Sequence, residues 1–125
     1  MDVIEIHDWS HTAYLYMIEY LYTGQIENFN HTVALDILGL ADAYSIENLK
    51  MLSENTLIHN VDNENVVSIL IDAHRFSAQE LKKFCMNYMM KNFAEVKDTV
   101  GFQELENVPS LLMEVTRNIA SSQMQ

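Results

Sequence analysis

The stretch Ser10 to Gly24, SHTAYLYMIEYLYTG, decides how the chain is read. Ser10 belongs to the small set of residues that satisfy the free N–H groups at a helix start. Gly24 stands where a helix closes on a left-handed residue. Between them Tyr14, Met17, Ile18, Leu21 and Tyr22 recur at steps of three and four, the period of an apolar helix face. The spacing therefore predicts a helix from Ser10 to about Tyr22.

Working outward, Val3-Ile4-Glu5-Ile6 is the only strand candidate, short, β-branched and an edge without a partner, so a frayed N-terminus is expected. Downstream, Asn30 opens a second helix whose Val33, Ile37, Leu40, Ala41 and Tyr44 form a long apolar stripe. Gly39 inside it costs about 1 kcal/mol relative to Ala and implies close approach of a neighbouring backbone. Ser45 is read as the start of a third helix to about His59, and Asp62 or Asn63 as the start of a fourth to Phe76. Ser77-Ala78-Gln79-Glu80 has the form of a capping box and opens a fifth helix to about Phe93. Two more follow, roughly Lys97 to Leu105, and from Pro109, a first-turn proline, to about Ala120.

Sliding the chain against itself by 32 residues aligns Ile37 with Ile69, Leu38 with Leu70, Ala41 with Ala73 and Ser45 with Ser77. The register continues through Leu49 and Leu81, Lys50 and Lys82, Asn55 and Asn87. Each copy is a helix, a serine corner and a second helix. With no third copy, the pattern describes two related hairpins and not a repeat array.

Three glycines and one proline in 125 residues favour helices over a many-stranded sheet, and the fold class is mainly α. Seven basic residues face eighteen acidic ones, and none of the basic residues precedes Lys50, so the first 49 residues carry a formal charge of −8. A chain this acidic lacks the cations that neutralise phosphates, which argues against nucleic acid and anionic membranes as partners. An acidic face instead speeds encounter with basic proteins, or simply keeps the chain soluble. The lone Cys85 forms no intrachain disulfide, and no apolar run approaches the ~20 residues of a membrane span, so a reducing compartment, nucleus or cytoplasm, is expected.

No catalytic residues are assigned. The chain has no phosphate-cradling glycine loop and no nucleophile elbow, and Cys85 shares an apolar face with Leu81, Tyr88 and Met89 without a visible base. His7 and His11 are four apart, but they straddle an expected strand end and helix cap and have no third ligand, so no metal or cofactor is expected. Met86, Met89, Met90 and Met113, with Tyr88 and Phe93, either form an adaptable binding surface or fill gaps between helices.

Ile18-Glu19-Tyr20-Leu21-Tyr22-Thr23-Gly24 resembles the Y-[LI]-Y-T-G signature that ends the third main helix of BTB/POZ domains. Leu40-Ala41-Asp42-Ala43-Tyr44, followed by Asn48-Leu49-Lys50, is similar to a second BTB segment. Residues 62–93 resemble the three-box helical pair of BTB adaptors, and Glu114, Arg117, Ile119, Ala120, Ser121 and Gln123 match the ending of the speckle-type POZ (MATH–BTB) family. The resemblance implies a BTB/POZ-like helical domain, C-terminal part, over residues 1–60, with three-box and BACK-like helices over 61–125. It implies a non-enzymatic, protein-binding adaptor of a cullin-3 type ubiquitin ligase, with a BTB-type scaffold or transcriptional regulator as the alternative.

On that resemblance, Met17 and Glu19 of Met17-Ile18-Glu19, together with Tyr22, are the partner-binding residues. Met17 is either an interface anchor or core. Self-association through the BTB part or the C-terminal helices is implied too, although Thr116 stands where the family has an aromatic. The elements that precede this segment in a complete BTB domain, with much of its dimerisation surface, have no counterpart here, nor has the speckle-type substrate-binding domain. The 125 residues thus read as a fragment or as a chain without those functions.

Overall fold

The computed structural model describes residues 10–25 and 31–123, and the expected strand Val3–Ile6 and the cap Asn30 lie outside them. Among the described residues there are seven α-helices, one 3₁₀ segment and no strand. They divide into two compact units, Met1–Asn60 and Val61–Gln125. No helix among them is long and apolar enough to cross a membrane.

In the first unit α1 (His11–Thr23), α2 (His31–Ala43) and α3 (Glu47–Ile58) pack with α2 touching both others. Ser10 caps α1 as expected, its hydroxyl accepting from the Ala13 N–H at 3.1 Å, while its own N–H donates to the Asp36 carboxylate at 3.0 Å. One cap therefore both starts α1 and ties it to α2. The core consists of Ala13 and Met17 from α1, Ile37, Leu40 and Ala41 from α2, and Leu49 from α3, with Tyr14, Tyr16, Tyr20, Val33 and Ile46 packed around it. Gly39 is buried, but Tyr44, expected at the end of the α2 stripe, is exposed because the helix has closed before it.

The second unit holds α4 (Val66–Arg75), α5 (Gln79–Lys91), a single turn α6 (Phe93–Val96), the 3₁₀ segment Val100–Asn107 and α7 (Pro109–Gln123). The start expected at Asp62 or Asn63 is instead a hydrogen-bonded turn, and α4 itself begins later, at Val66. The Asp62 carboxylate accepts from the N–H groups of Glu64 (2.9 Å) and Asn65 (2.8 Å), and the Asn65 amide oxygen accepts from the Asp62 N–H (2.8 Å). This reciprocal pair satisfies donors that the first turn leaves free. The core takes Val66, Val67, Ile69, Leu70 and Ala73 from α4, Leu81, Cys85, Met86 and Met89 from α5, then Val96, Leu105, Leu111 and Val115. Met86 and Met89 therefore fill space between helices, whereas Met113 is exposed.

The helix expected over Lys97 to Leu105 is replaced by a turn over 97–99, which follows α6, and by the 3₁₀ segment Val100–Asn107. Thr99 ends that turn, its hydroxyl donating to the Val96 carbonyl at 2.8 Å with an extended backbone. Phe102 then meets Phe93 edge to face at 5.7 Å between ring centroids, a contact that a continuous helix from Lys97 has no means of specifying from local pattern.

The two serine corners differ from their expected role. Ser45 and Ser77 have φ of 57° and 56°, and neither caps the helix that follows. They end the helix before it. The Ile46 N–H donates to the Ala41 carbonyl (2.9 Å) and the Ser45 N–H to Asp42 (3.2 Å); the Ala78 N–H donates to Ala73 (2.9 Å) and the Ser77 N–H to His74 (3.4 Å). This is the Schellman pattern with serine in the left-handed position usually held by glycine. The capping-box reading of Ser77–Glu80 is thus corrected: a residue with positive φ belongs to the helix it closes.

The 32-residue correspondence extends to a polar link across each corner. Lys50 Nζ donates to Asp42 Oδ1 at 3.0 Å, and Lys82 Nζ lies 3.2 Å from His74 Nδ1, the equivalent pair. In the second hairpin Lys82 also reaches Glu114 of α7 at 3.0 Å, and the Ser110 hydroxyl lies 3.3 Å from His74 Nε2. The final helix is thereby fastened to the hairpin.

Candidate functional site

α1 is apolar almost all round, so its two faces need two different coverings. Ala13 and Met17 face the core, with Tyr16 and Tyr20 beside them. The opposite face carries Leu15, Ile18, Leu21 and Tyr22, and these are exposed, Tyr22 by 89% of its surface. Leu15, Ile18 and Tyr22 follow steps of three and four and form one stripe, with Leu21 and the exposed Glu19 on its margins.

The stripe expected from Tyr14, Met17, Ile18, Leu21 and Tyr22 is therefore split: Met17 goes to the core, and Ile18, Leu21 and Tyr22 go outward. Leu15, which that spacing does not include, joins the exposed set. The signal in the sequence was the lack of any polar face between Ala13 and Tyr22, which a helix covered on one side does not need.

The three residues expected to bind a partner, Met17, Glu19 and Tyr22, take two different places. Met17 is 7% exposed and packs against α2 and α3 with the core set, one of the two roles open to it. Glu19 and Tyr22 are on the surface. Their helix ends firmly: the Gly24 N–H donates to the Tyr20 carbonyl at 2.7 Å with φ of 73°, the Thr23 hydroxyl donates to the Glu19 carbonyl at 2.9 Å, and it accepts from the Gln25 N–H at 3.1 Å. These bonds explain the Tyr-Thr-Gly sequence. Threonine satisfies groups at the helix end, glycine accepts the left-handed turn, and Tyr22 stands exposed in the last turn.

Nothing on this surface resembles catalytic chemistry. Cys85 is fully buried in the second unit, and burial pushes its thiol up to about 12, so it remains protonated at neutral pH. Among the described residues no three His, Cys, Asp or Glu side chains gather into a metal site; His7 lies outside them. A contiguous exposed apolar stripe with Glu19 on its margin is instead the feature of a protein-interaction surface.

Comparison with known proteins gives the family. Residues 1–61 match the BTB/POZ domain, and residues 65–116 match the BACK domain of BPM/SPOP proteins. The chain is 31% identical over 122 residues to TD and POZ domain-containing protein 4 of Mus musculus, an alignment covering 96% of the chain and 33% of that protein, so it spans about a third of that relative's length. BTB and BACK domains mediate protein interaction. From its two successive matches, the chain belongs to the BTB/POZ proteins that carry a BPM/SPOP-type BACK domain.

Proposed function

We propose that the chain acts as a protein-binding adaptor of a cullin-3 type ubiquitin ligase, with α1 and the α4–α5 pair forming the contact. The observation that carries the reading is the exposed Leu15-Ile18-Tyr22 stripe, set in a segment whose first 49 residues hold eight acids and no base. Apolar side chains on a helix supply the desolvated centre that stable interfaces use, and the acidic balance of the segment, with Glu19 on the helix itself, favours a basic partner. Tyr22 is the anchor of the contact, Glu19 its polar margin, and Met17 fixes the helix from beneath. The BTB and BPM/SPOP BACK matches support the same reading. Assembly would take place in the nucleus or cytoplasm.

The test is a binding measurement between the chain and the N-terminal region of cullin-3, for the unaltered protein and for Ile18→Asp and Tyr22→Ala. The reading expects binding that both substitutions weaken without loss of helicity. No measurable binding by the unaltered protein would refute it, and would leave the scaffold or regulator function to be pursued with other helical partners.

A further inference from the structure

The chain carries a formal charge of −11, yet two helices of its second unit run against that balance. α5 holds Lys82, Lys83 and Lys91 against Glu80, and α7 holds Arg117 against Glu114, so the two together carry a formal charge of +2. Between them lies a groove of about 280 Å³. Lys82, Lys83, Met86 and Asn87 line it from α5, Glu114 and Asn118 from α7. Lys82 and Glu114 are paired across it at 3.0 Å and neutralise one another. Lys83 is exposed and has no ion pair or hydrogen bond to another described residue. The groove therefore offers one uncommitted cation, with amides on both walls and the 7% exposed Met86 as an apolar floor.

We propose that the groove between α5 and α7 binds an acidic peptide segment of a partner protein, with Lys83 holding a carboxylate and Asn87 and Asn118 holding the peptide backbone. An unpaired ammonium at the edge of a groove pairs with a carboxylate by a charge-assisted hydrogen bond. Asn87 and Asn118, one on each wall, carry a donor and an acceptor as a peptide group does, so they match a backbone that passes between them. Asn118 is already oriented, its Nδ2 donating to the Glu114 carbonyl at 2.9 Å. Met86 supplies adaptable apolar ground for an aliphatic side chain next to the acid. A free phosphate fits less well, because the Glu114 carboxylate shares the lining and repels a second negative charge. At about 280 Å³ the groove is also smaller than the roughly 300 to 1,000 Å³ that enclose a small molecule, and exposed Lys83 and Asn87 leave it open. Such a shape takes a side chain projecting from a longer segment. The groove's role is independent of the cullin contact, and its sign is the reverse of the acidic first unit's.

The experiment titrates the isotope-labelled full chain with a blocked peptide of paired glutamates flanked by leucines, and reads amide shifts and affinity by nuclear magnetic resonance. The control peptide has glutamine in place of glutamate, and inorganic phosphate is added as a competitor. The expected result is saturable shifts centred on Lys83, Asn87 and Asn118, with the glutamine peptide bound at least about ten-fold more weakly. Lys83→Glu turns attraction into repulsion and should weaken the acidic peptide at least about ten-fold. Lys91→Glu makes the same change in net charge on the same helix, but eight residues and about 12 Å along it and outside the groove, so it should alter affinity less than about two-fold. Both lysines are exposed, and circular dichroism should show both variants folded. No shifts at the groove with the acidic peptide, equal binding of the glutamine peptide, equal losses in the two variants, or displacement of the peptide by an equal concentration of phosphate would each overturn the proposal. The shift map and the glutamine control use the unaltered chain, so they decide the matter even if a variant unfolds.

Discussion

Met17→Ala separates the two roles that one helix performs. The substitution removes the last three heavy atoms of a side chain 93% buried among Ala13, Ile37, Leu40, Ala41 and Leu49. Truncations of this kind cost about 2 to 5 kcal/mol through lost transfer energy and the cavity left behind. Met17 keeps 7% of its surface exposed, so the site is open to partial collapse and the expected loss is at the lower end, about 2 to 3 kcal/mol. For a unit of this size each kcal/mol lowers the midpoint by roughly 4 to 8 °C, giving a shift on the order of 10 to 20 °C. Tyr22→Ala is the counterpart: 89% exposed, it should change stability by no more than about 0.5 kcal/mol. The assay is urea and thermal unfolding by far-ultraviolet circular dichroism on both variants, with partner affinity measured on the same samples. Tyr22→Ala should weaken binding by about 2 kcal/mol, roughly thirty-fold, as loss of an aromatic anchor does. Met17→Ala should weaken it only in proportion to the fraction unfolded. A Met17→Ala protein of unaltered stability, or a Tyr22→Ala protein that unfolds early, would refute the assignment of the two faces.

Ser45→Gly and Ser77→Gly should each stabilise the chain by about 0.5 to 1 kcal/mol, since glycine relieves a left-handed strain of roughly 1 to 2 kcal/mol and gives part of it back in backbone entropy; Ser77→Val should destabilise, and denaturant midpoints read both. Lys82→Ala removes the contacts to Glu114 and His74 and should cost about 0.5 to 1.5 kcal/mol, with faster hydrogen exchange in α7; unchanged exchange there would contradict the fastening role. The Cys85 thiol, raised by burial from 9 to about 12, keeps its proton in the folded chain while the unfolded chain loses it. Its contribution to stability is therefore complete below pH 9 and falls by about 1.4 kcal/mol per pH unit between 9 and 12, an alkaline slope that Cys85→Ala should reduce. Glu19→Lys should slow association with a basic partner, most visibly at low salt, and leave unfolding unchanged.

Much of the molecule was determined by sequence alone, wherever a local rule fixes the outcome. Ser10 and Gly24 bound α1 because a hydroxyl cap and a left-handed glycine act within a few residues of themselves, and Asp62 starts its turn for the same reason. The 32-residue correspondence placed both hairpins and their corners, and the Tyr-Thr-Gly ending with the speckle-type tail named the family. Three things only tertiary structure decided. The serines could close one helix or open the next, and what selects closure is the pair of bonds back to Ala41 and Asp42 or to Ala73 and His74, seen only once the chain has turned. The segment after Val96 became a 3₁₀ run because Phe102 packs on Phe93 and Leu105 enters the core, contacts that override a weak local helix preference. On α1 the periodicity is apolar on every side, so spacing does not say which residues face inward; α2 and α3 cover Ala13 and Met17 and leave Leu15, Ile18 and Tyr22 outside, because the partner helices lie along only one side of α1.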